Sequence, residues 1–302
     1  MTSEFNVTLL GTGYPTPRLD RFGPSVLIDA ANLRLLFDCG RGTMQRIYQI
    51  NTNASRFNKL FLTHLHSDHT TGIPDLWITG RIRMRDDNPL RIWGPQGTVD
   101  MMNHIQKAFK IDTKVRSEAR RNISPPWNSD GLRIEAQDID EGFIFEEDGV
   151  KVIPFRVNHH GEYSDVTSLG YRIEYNGRSV VISGDTCYCE NLIEYSKDVD
   201  LLIHEVAAGP LGEELPERFI MALSHHTMPE ECGKVFSLVK PKMAVYYHII
   251  QFQGVSLDEM MTRTRTEYDG PLVFGEDMIT IDVGDAIKVL SSEPKEPSTP
   301  YS

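Results

Sequence analysis

Three histidines and an aspartate fall within six positions of this chain, in the run Thr63-His64-Leu65-His66-Ser67-Asp68-His69. The apolar run 59–62 leads straight into them, so they stand at the mouth of an expected strand. Imidazole nitrogens and carboxylate oxygens are the borderline donors that suit zinc. Alternation along extended backbone puts His64 and His66 on one side. A turn beyond them can swing Asp68 and His69 round to a neighbouring point. The segment thus offers two adjacent metal positions, and a fold that uses them must bring further ligands to both.

Residues of the required kind recur later, each at the end of an apolar strand. Asn158-His159-His160-Gly161 follows an expected strand 150–157, Ser183-Gly184-Asp185-Thr186 follows 178–182, and Tyr246-Tyr247-His248 follows 242–245. A metal pair needs about three more ligands to close its shell, and these segments supply three. His159 and His160 are alternatives at the first of them. A second double histidine, His225-His226, precedes Thr227 at the expected entry to a helix.

Strands are expected at 5–10, 25–29, 34–38, 59–63 and 90–93, then at 150–157, 168–175, 178–183, 201–204, 244–248, 272–274 and 278–282. Helices are expected at 41–49, 75–83, 98–110, 229–239 and 257–266. Ala31-Asn32 reads as a short turn. Asn176-Gly177 between two alternating runs reads as a type I′ hairpin. Thr227 with Glu230, and Ser256 with Glu259, fit the capping-box pattern of a helix start. Strands mixed with helices in both halves predict a layered α/β fold. Gly11-Thr12-Gly13 follows a strand, but Tyr14-Pro15-Thr16-Pro17 comes next instead of a helix, so it is a rigid loop and not a dinucleotide site.

The 302 residues carry 31 Lys plus Arg against 43 Asp plus Glu, a net charge of −12, which argues against a general affinity for phosphate backbones. The local basic sets Arg81, Arg83 and Arg85, and Lys114, Arg116, Arg120 and Arg121, read first as solvated faces. The second could contact an anionic substrate beside Pro125-Pro126-Trp127. No stretch reaches the ~20 apolar residues of a membrane helix, and residues 1–5 lack the features of a signal peptide. Four cysteines are too few for a disulfide scaffold, which points to a reducing, cytoplasmic location. Cys187 and Cys189, close behind Asp185, are not expected as ligands, and His104 reads as an exposed helix residue. The Pro/Ser/Glu-rich tail 291–302 is expected to be disordered.

With these motifs in hand, the chain resembles the metallo-β-lactamase superfamily, and within it the ribonuclease Z-like branch that also holds arylsulfatase-like hydrolases. The resemblance runs from Leu9 to about Asp282, through Leu10-Gly11-Thr12-Gly13, Phe37-Asp38-Cys39-Gly40, the histidine cluster, His159, Gly184-Asp185-Thr186, His204-Glu205, His226-Thr227 and His248. It implies a four-layer αββα sandwich of two β-sheets flanked by helices, as one domain over 1–290. It also implies two Zn2+ per chain, with Mn2+ or Fe2+ as alternatives. One ion would be held by His64, His66 and His159, the other by Asp68, His69 and His248, with Asp185 bridging. Asp68, His226 and Glu205 form the implied catalytic set: His226 as general acid, with His225 as its rival, and Glu205 holding its orientation. Asp38 would support the ligand loop.

The implied activity is hydrolysis of phosphodiester or related ester bonds by a metal-bridging hydroxide, with a small anionic ester as substrate. Ribonuclease Z proper carries an arm between the His159 and Asp185 positions that grips transfer RNA. Here the chain passes through the Asn176-Gly177 hairpin straight to Asp185, which disfavours nucleic acid. Transfer-RNA 3′-end cleavage and promiscuous aryl sulfate or β-lactam hydrolysis are the alternatives. A non-hydrolytic metal or redox protein, expected to have lost ligands, ranks last. The branch also implies a homodimer, and no membrane partner is expected.

Overall fold

A computed structural model of the chain describes residues 4–50, 57–82, 89–119, 132–159, 166–211 and 216–290. His160, Arg83, Arg85, Arg120, Arg121, Pro125 to Trp127 and the tail 291–302 lie outside them. The first sheet contains β1 (Phe5–Gly11), β2 (Ser25–Ala30), β3 (Leu33–Phe37), β4 (Lys59–Phe61), β5 (Leu90–Gly94) and β6 (Ile134–Asp138). The second contains β7 (Phe145–Glu147), β8 (Val150–Val157), β9 (Ser168–Tyr175), β10 (Arg178–Ile182), β11 (Leu201–Ala208), β12 (Met243–Gln251) and β13 (Leu272–Phe274). The chain then returns to the first sheet with β14 (Thr280–Val283) and β15 (Ile287–Leu290). Strand order among the described residues is β15-β14-β1-β2-β3-β4-β5-β6 in one sheet and β13-β12-β11-β10-β9-β8-β7 in the other.

Each sheet joins an antiparallel stretch to a parallel one. The strands β3 to β6 run parallel, as do β10 to β13. Parallel strands are covered on both faces and read as near-continuous apolar runs; all eight residues of β11 are buried. The carboxyl ends of such strands open onto the crevice where ligands bind in α/β sheets. The expected hairpin joins β9 to β10, with Asn176 at φ 49° and Gly177 at φ 72°.

Three apolar clusters define four layers. Val7, Val26, Phe37, Phe61 and Trp93 of the first sheet meet Val152, Tyr171, Val180, Ile203 and Val245 of the second between the sheets. A second cluster seals the outer face of β10–β12 with helices α6 (Glu190–Tyr195), α8 (Pro229–Val239) and α9 (Leu257–Thr264). A third covers the other sheet with α1 (Thr43–Gln49), α3 (Ile73–Ile82) and α4 (Thr98–Ala108). The architecture is therefore the αββα sandwich. Phe61 stacks on Phe37 at 5.2 Å and on Trp93 at 4.8 Å between ring centroids, pairs worth about 0.5–1.5 kcal/mol each beyond area burial. This ladder pins β4 three residues ahead of His64.

Local signals were displaced in two places. The expected helix 98–110 breaks at Phe109, whose ring packs edge-on against Trp77, and α5 (Lys110–Ala119) continues with no buried residue. The helix expected at 229–239 forms with those bounds, but Thr227 is not its cap. Thr227 is buried, its hydroxyl donating to Thr186 O at 2.6 Å and its N–H to Glu205 Oε1, bonds that tie it inward to the site. Met228 is the N-cap, and Glu231, not Glu230, accepts its N–H. Glu230 instead receives Arg263 Nε and Nη2 at 2.7 and 3.1 Å, tying α8 to α9. Ser256 does cap α9, accepting from Glu259 N. The strands β6, β7 and β15 and the helices α6 and α7 (Glu217–Ser224) were not anticipated, whereas the turn expected beyond His66 is the single helical turn α2 (Ser67–Thr70).

Candidate metal centre and active site

Four strand ends deliver the cluster. After β4 the chain passes Thr63 to His64, and the turn expected behind His66 is α2, which carries Asp68 and His69. Asp38, at the end of β3, holds this segment from beneath. It accepts Thr63 N on Oδ1, and Thr63 Oγ1 and His69 Nδ1 on Oδ2, each at 2.8 Å. Asp38 does so from a left-handed backbone (φ 58°), a conformation that Asp tolerates better than most residues. Beside it a side chain on Gly40 would stand 2.3 Å from Asp68 O, so glycine is required there.

Opposite, β8 ends at His159, β10 at Asp185 and β12 carries His248. Gly184, at φ 63°, lies so close that a Cβ would meet Leu169 O at 2.6 Å. His248 has φ 45° and sits where the β11–β12 register slips between Glu205 and Val206. A non-glycine residue held there costs of order 1–3 kcal/mol and persists only when its surroundings over-determine it.

The potential donor atoms converge. His159 Nε2 lies 3.2 Å from His66 Nδ1, and both share a cluster with His64 and Asp185. In the second cluster, Asp68 Oδ2 lies 3.5 Å from His69 Nε2 and 3.3 Å from His248 Nε2. Asp185 Oδ2 stands between the two, 3.8 Å from His64, 3.9 Å from His159, 3.4 Å from His69 and 3.2 Å from His248, all measured to Nε2. Tetrahedral sites with bonds of about 2.0–2.1 Å have donor–donor edges of roughly 3.3 Å. Most of these separations lie near that value. His69 Nε2 and Asp185 Oδ1 are buried without a hydrogen bond, an arrangement that costs free energy unless a cation meets them. The residues present thus fit a pair of metal ions.

Hydrogen bonding sets which ring nitrogens face inward. The Thr63 hydroxyl gives its only proton to Asp38, so at 2.9 Å it must accept from His64 Nδ1, which leaves Nε2 as the donor atom. His69 Nδ1 gives its proton to Asp38, and His159 Nδ1 gives its own to His225 O at 2.8 Å. Burial, reinforced by His69, drives the His64 pKa well down, and burial lowers His159 to about 3, so both rings are neutral. Burial opposes charge on His69 as well, but Asp185, Asp38 and Asp68 outweigh it and raise its pKa well above the usual value. Asp185 is held well below the carboxylate range despite its burial, because His248 and His69 face it. Asp38, Asp68 and Asp185 thus bring three carboxylates to His69 in the crevice between the sheets.

The two members of the second double histidine separate cleanly. His226 Nδ1 donates to Glu205 Oε1 at 2.9 Å, whereas His225 Nδ1 donates to His159 O at 2.8 Å. Glu205 is fully buried and also accepts Thr186 N and Thr227 N. Burial lowers the His226 pKa, but the Glu205 charge and hydrogen bond reverse this and carry it to about 9. Its ring lies 5.1 Å from His159 and 5.5 Å from His248, centroid to centroid. A cavity of about 310 Å³ opens above, with Pro15, Ala222 and His225 beside His66, Asp68 and His226. The loop after Gly11-Thr12-Gly13 thus reaches the site through Pro15. Cys187 turns to Ser224 O, and His104 is an exposed helix residue bonded to Asp100 O. Thr63, Thr186 and Pro15 stand inside motifs singled out in the sequence but carried no role of their own there, and Ala222 gave no signal.

A family model for the beta-lactamase superfamily domain matches residues 33–249. The chain belongs to the metallo-β-lactamase superfamily. Within it the chain lies in the ribonuclease Z-like branch. It is 31% identical over 281 residues to the ribonuclease Z of Mycolicibacterium gilvum (strain PYR-GCK), covering 92% of this chain and 96% of that one. Among solved structures, the metallo-beta-lactamase fold protein YhfI from Bacillus subtilis superposes with a TM-score of 0.70 at 17% identity, covering 92% of this chain and 99% of that one. The short form of human tRNase Z does so with 0.67 at 22% identity, with the same coverage. As a member of this superfamily the chain is a metal-dependent hydrolase acting on ester bonds.

Proposed function

We propose that the protein is a two-metal phosphodiesterase. The observation that carries this reading is Asp185 Oδ2, within 3.2–3.9 Å of four imidazole Nε2 atoms contributed by both halves. His64, His66 and His159 would hold one ion and Asp68, His69 and His248 the other, with Asp185 shared. Zinc is the preferred ion for this nitrogen-rich donor set. Ions so held polarise a phosphoryl oxygen and shift the ionisation of water toward neutral pH. Asp38, Thr63 and the His225 carbonyl fix the rings by accepting their outer N–H groups. His226 keeps a proton on Nε2 that faces the cavity, because Glu205 holds Nδ1. As the bond from phosphorus to the leaving oxygen breaks, that proton passes to the oxygen and spares the departing group a full negative charge.

Two substrates follow from different observations. The curated relatives named ribonuclease Z match along nearly their whole length, which favours an RNA phosphodiester. The β9–β10 hairpin turns on two residues, so 166–185 carries no RNA-gripping arm, which favours a small aryl phosphodiester. The test is turnover of metal-defined protein on precursor transfer RNA, bis-aryl phosphate, aryl sulfate and a lactam. Cleavage of either diester that is lost on chelation and restored by zinc supports the reading. Turnover of sulfate or lactam alone contradicts it.

A further inference from the structure

We infer that Asp277, with Thr12 and Arg21, is a positioning unit for His248. The inference rests on the ligand set proposed above. His248 is the extra residue of a bulge, opposite no partner between the pairs Glu205↔Tyr247 and Val206↔Ile249. On the other side, β13 pairs only as far as Tyr246, where Gly275 N takes the Tyr246 carbonyl. The left-handed backbone at His248 is therefore held from outside both ladders. Ile249 N donates to Thr12 O at 3.1 Å, and no strand of the second sheet supplies that bond.

Thr12 is in turn fixed at every polar atom. Its N–H and its hydroxyl both donate to Asp277 Oδ1, at 2.9 and 2.8 Å, and the hydroxyl accepts Arg21 Nη1 at 2.6 Å. Arg21 also donates to Gly275 O at 2.6 Å. The second oxygen of Asp277 accepts Phe22 N at 2.7 Å and Arg46 Nη2 at 2.8 Å. Arg21 and Thr12 are buried, and so is the carboxylate of Asp277. One carboxylate thus takes four hydrogen bonds, and the single carbonyl it aims reaches the residue after the ligand. His64, His66 and His159 hang from other strands and do not depend on this clamp.

Outer groups that orient a ligand are typically worth 10–100-fold in metal affinity. In Asp277→Asn one acceptor becomes an NH2 donor facing donors, so at least one arm of the clamp opens. Zinc content and the rate of zinc release to a chelator, measured on the purified full-length protein, read the two sites as two phases. The expected result is release from one site faster by about 10–100-fold, with the other phase unchanged and the far-UV spectrum native. Thr12→Val keeps the backbone groups but loses the hydroxyl; it should shift the same phase by less, and it serves if Asp277→Asn fails to fold. Equal acceleration of both phases, or of neither, overturns the inference. His248→Ala is the reference. If it loses one ion while Asp277→Asn and Thr12→Val lose none faster, only the inference falls. If it keeps both ions, the ligand set itself is wrong.

Discussion

The two halves of the molecule build their share of the site in opposite ways. In the first, four side chains lie within six consecutive residues, and one carboxylate at the end of β3, Asp38, fixes the loop through Thr63 and His69. In the second, His159, Asp185, His226 and His248 arrive singly from four places across some ninety positions, and they rely on strand ends, on strained backbone at Gly184 and His248, and, for His226, on Glu205. A compact motif is cheap to specify, since neighbours in sequence are already neighbours in space. A dispersed set needs the whole sheet, with Gly184 and His248 held at positive φ, before any ligand points the right way.

Substitutions can break that contrast. Asp185→Ala should do most, because it removes the group common to both halves: kcat/KM is expected to fall by about 10^4-fold or more, as for groups that act as one unit, and zinc content to drop below two per chain by elemental analysis. His226→Ala comes next. Positioned acids contribute about 10²–10⁴-fold, so a diester with a poorly departing alkoxide should slow by that factor while a nitrophenyl diester barely changes. Equal slowing of both would remove His226 from proton delivery. Asp38→Ala strikes the local half alone, leaving His69 Nδ1 and two Thr63 groups without their acceptor; zinc affinity is expected to fall about 10–100-fold. Glu231→Ala touches neither half. It should lower stability by about 1 kcal/mol through loss of the α8 cap, seen in denaturant midpoints, with kcat unchanged.

How much could be read beforehand follows the same division. The histidine run, the strands leading to it and the Asn176-Gly177 hairpin were legible because their signals are local. So was the layered α/β class, from strands mixed with helices in both halves, whereas the αββα order of the layers came from the resemblance alone. The choice between His225 and His226 was open in the residues themselves. It is made by Glu205, twenty-one positions away. The capping box shifted for a related reason: Thr227 is drawn inward to Thr186 O and Glu205, far away in sequence, and Met228 takes the cap position. The short α6 carries too few residues to show periodicity, and β6, with no residue fully buried, shows no apolar face. Asp277 gave no signal at all, since its partner Thr12 stands 265 positions earlier.

Anomalous scattering at the zinc edge, from crystals of the full-length protein grown with zinc, addresses the shared centre most directly. Two peaks should flank Asp185, one among His64, His66 and His159 and one among Asp68, His69 and His248. Absence of any peak within bonding distance of Asp185, with zinc bound elsewhere or not at all, would contradict it.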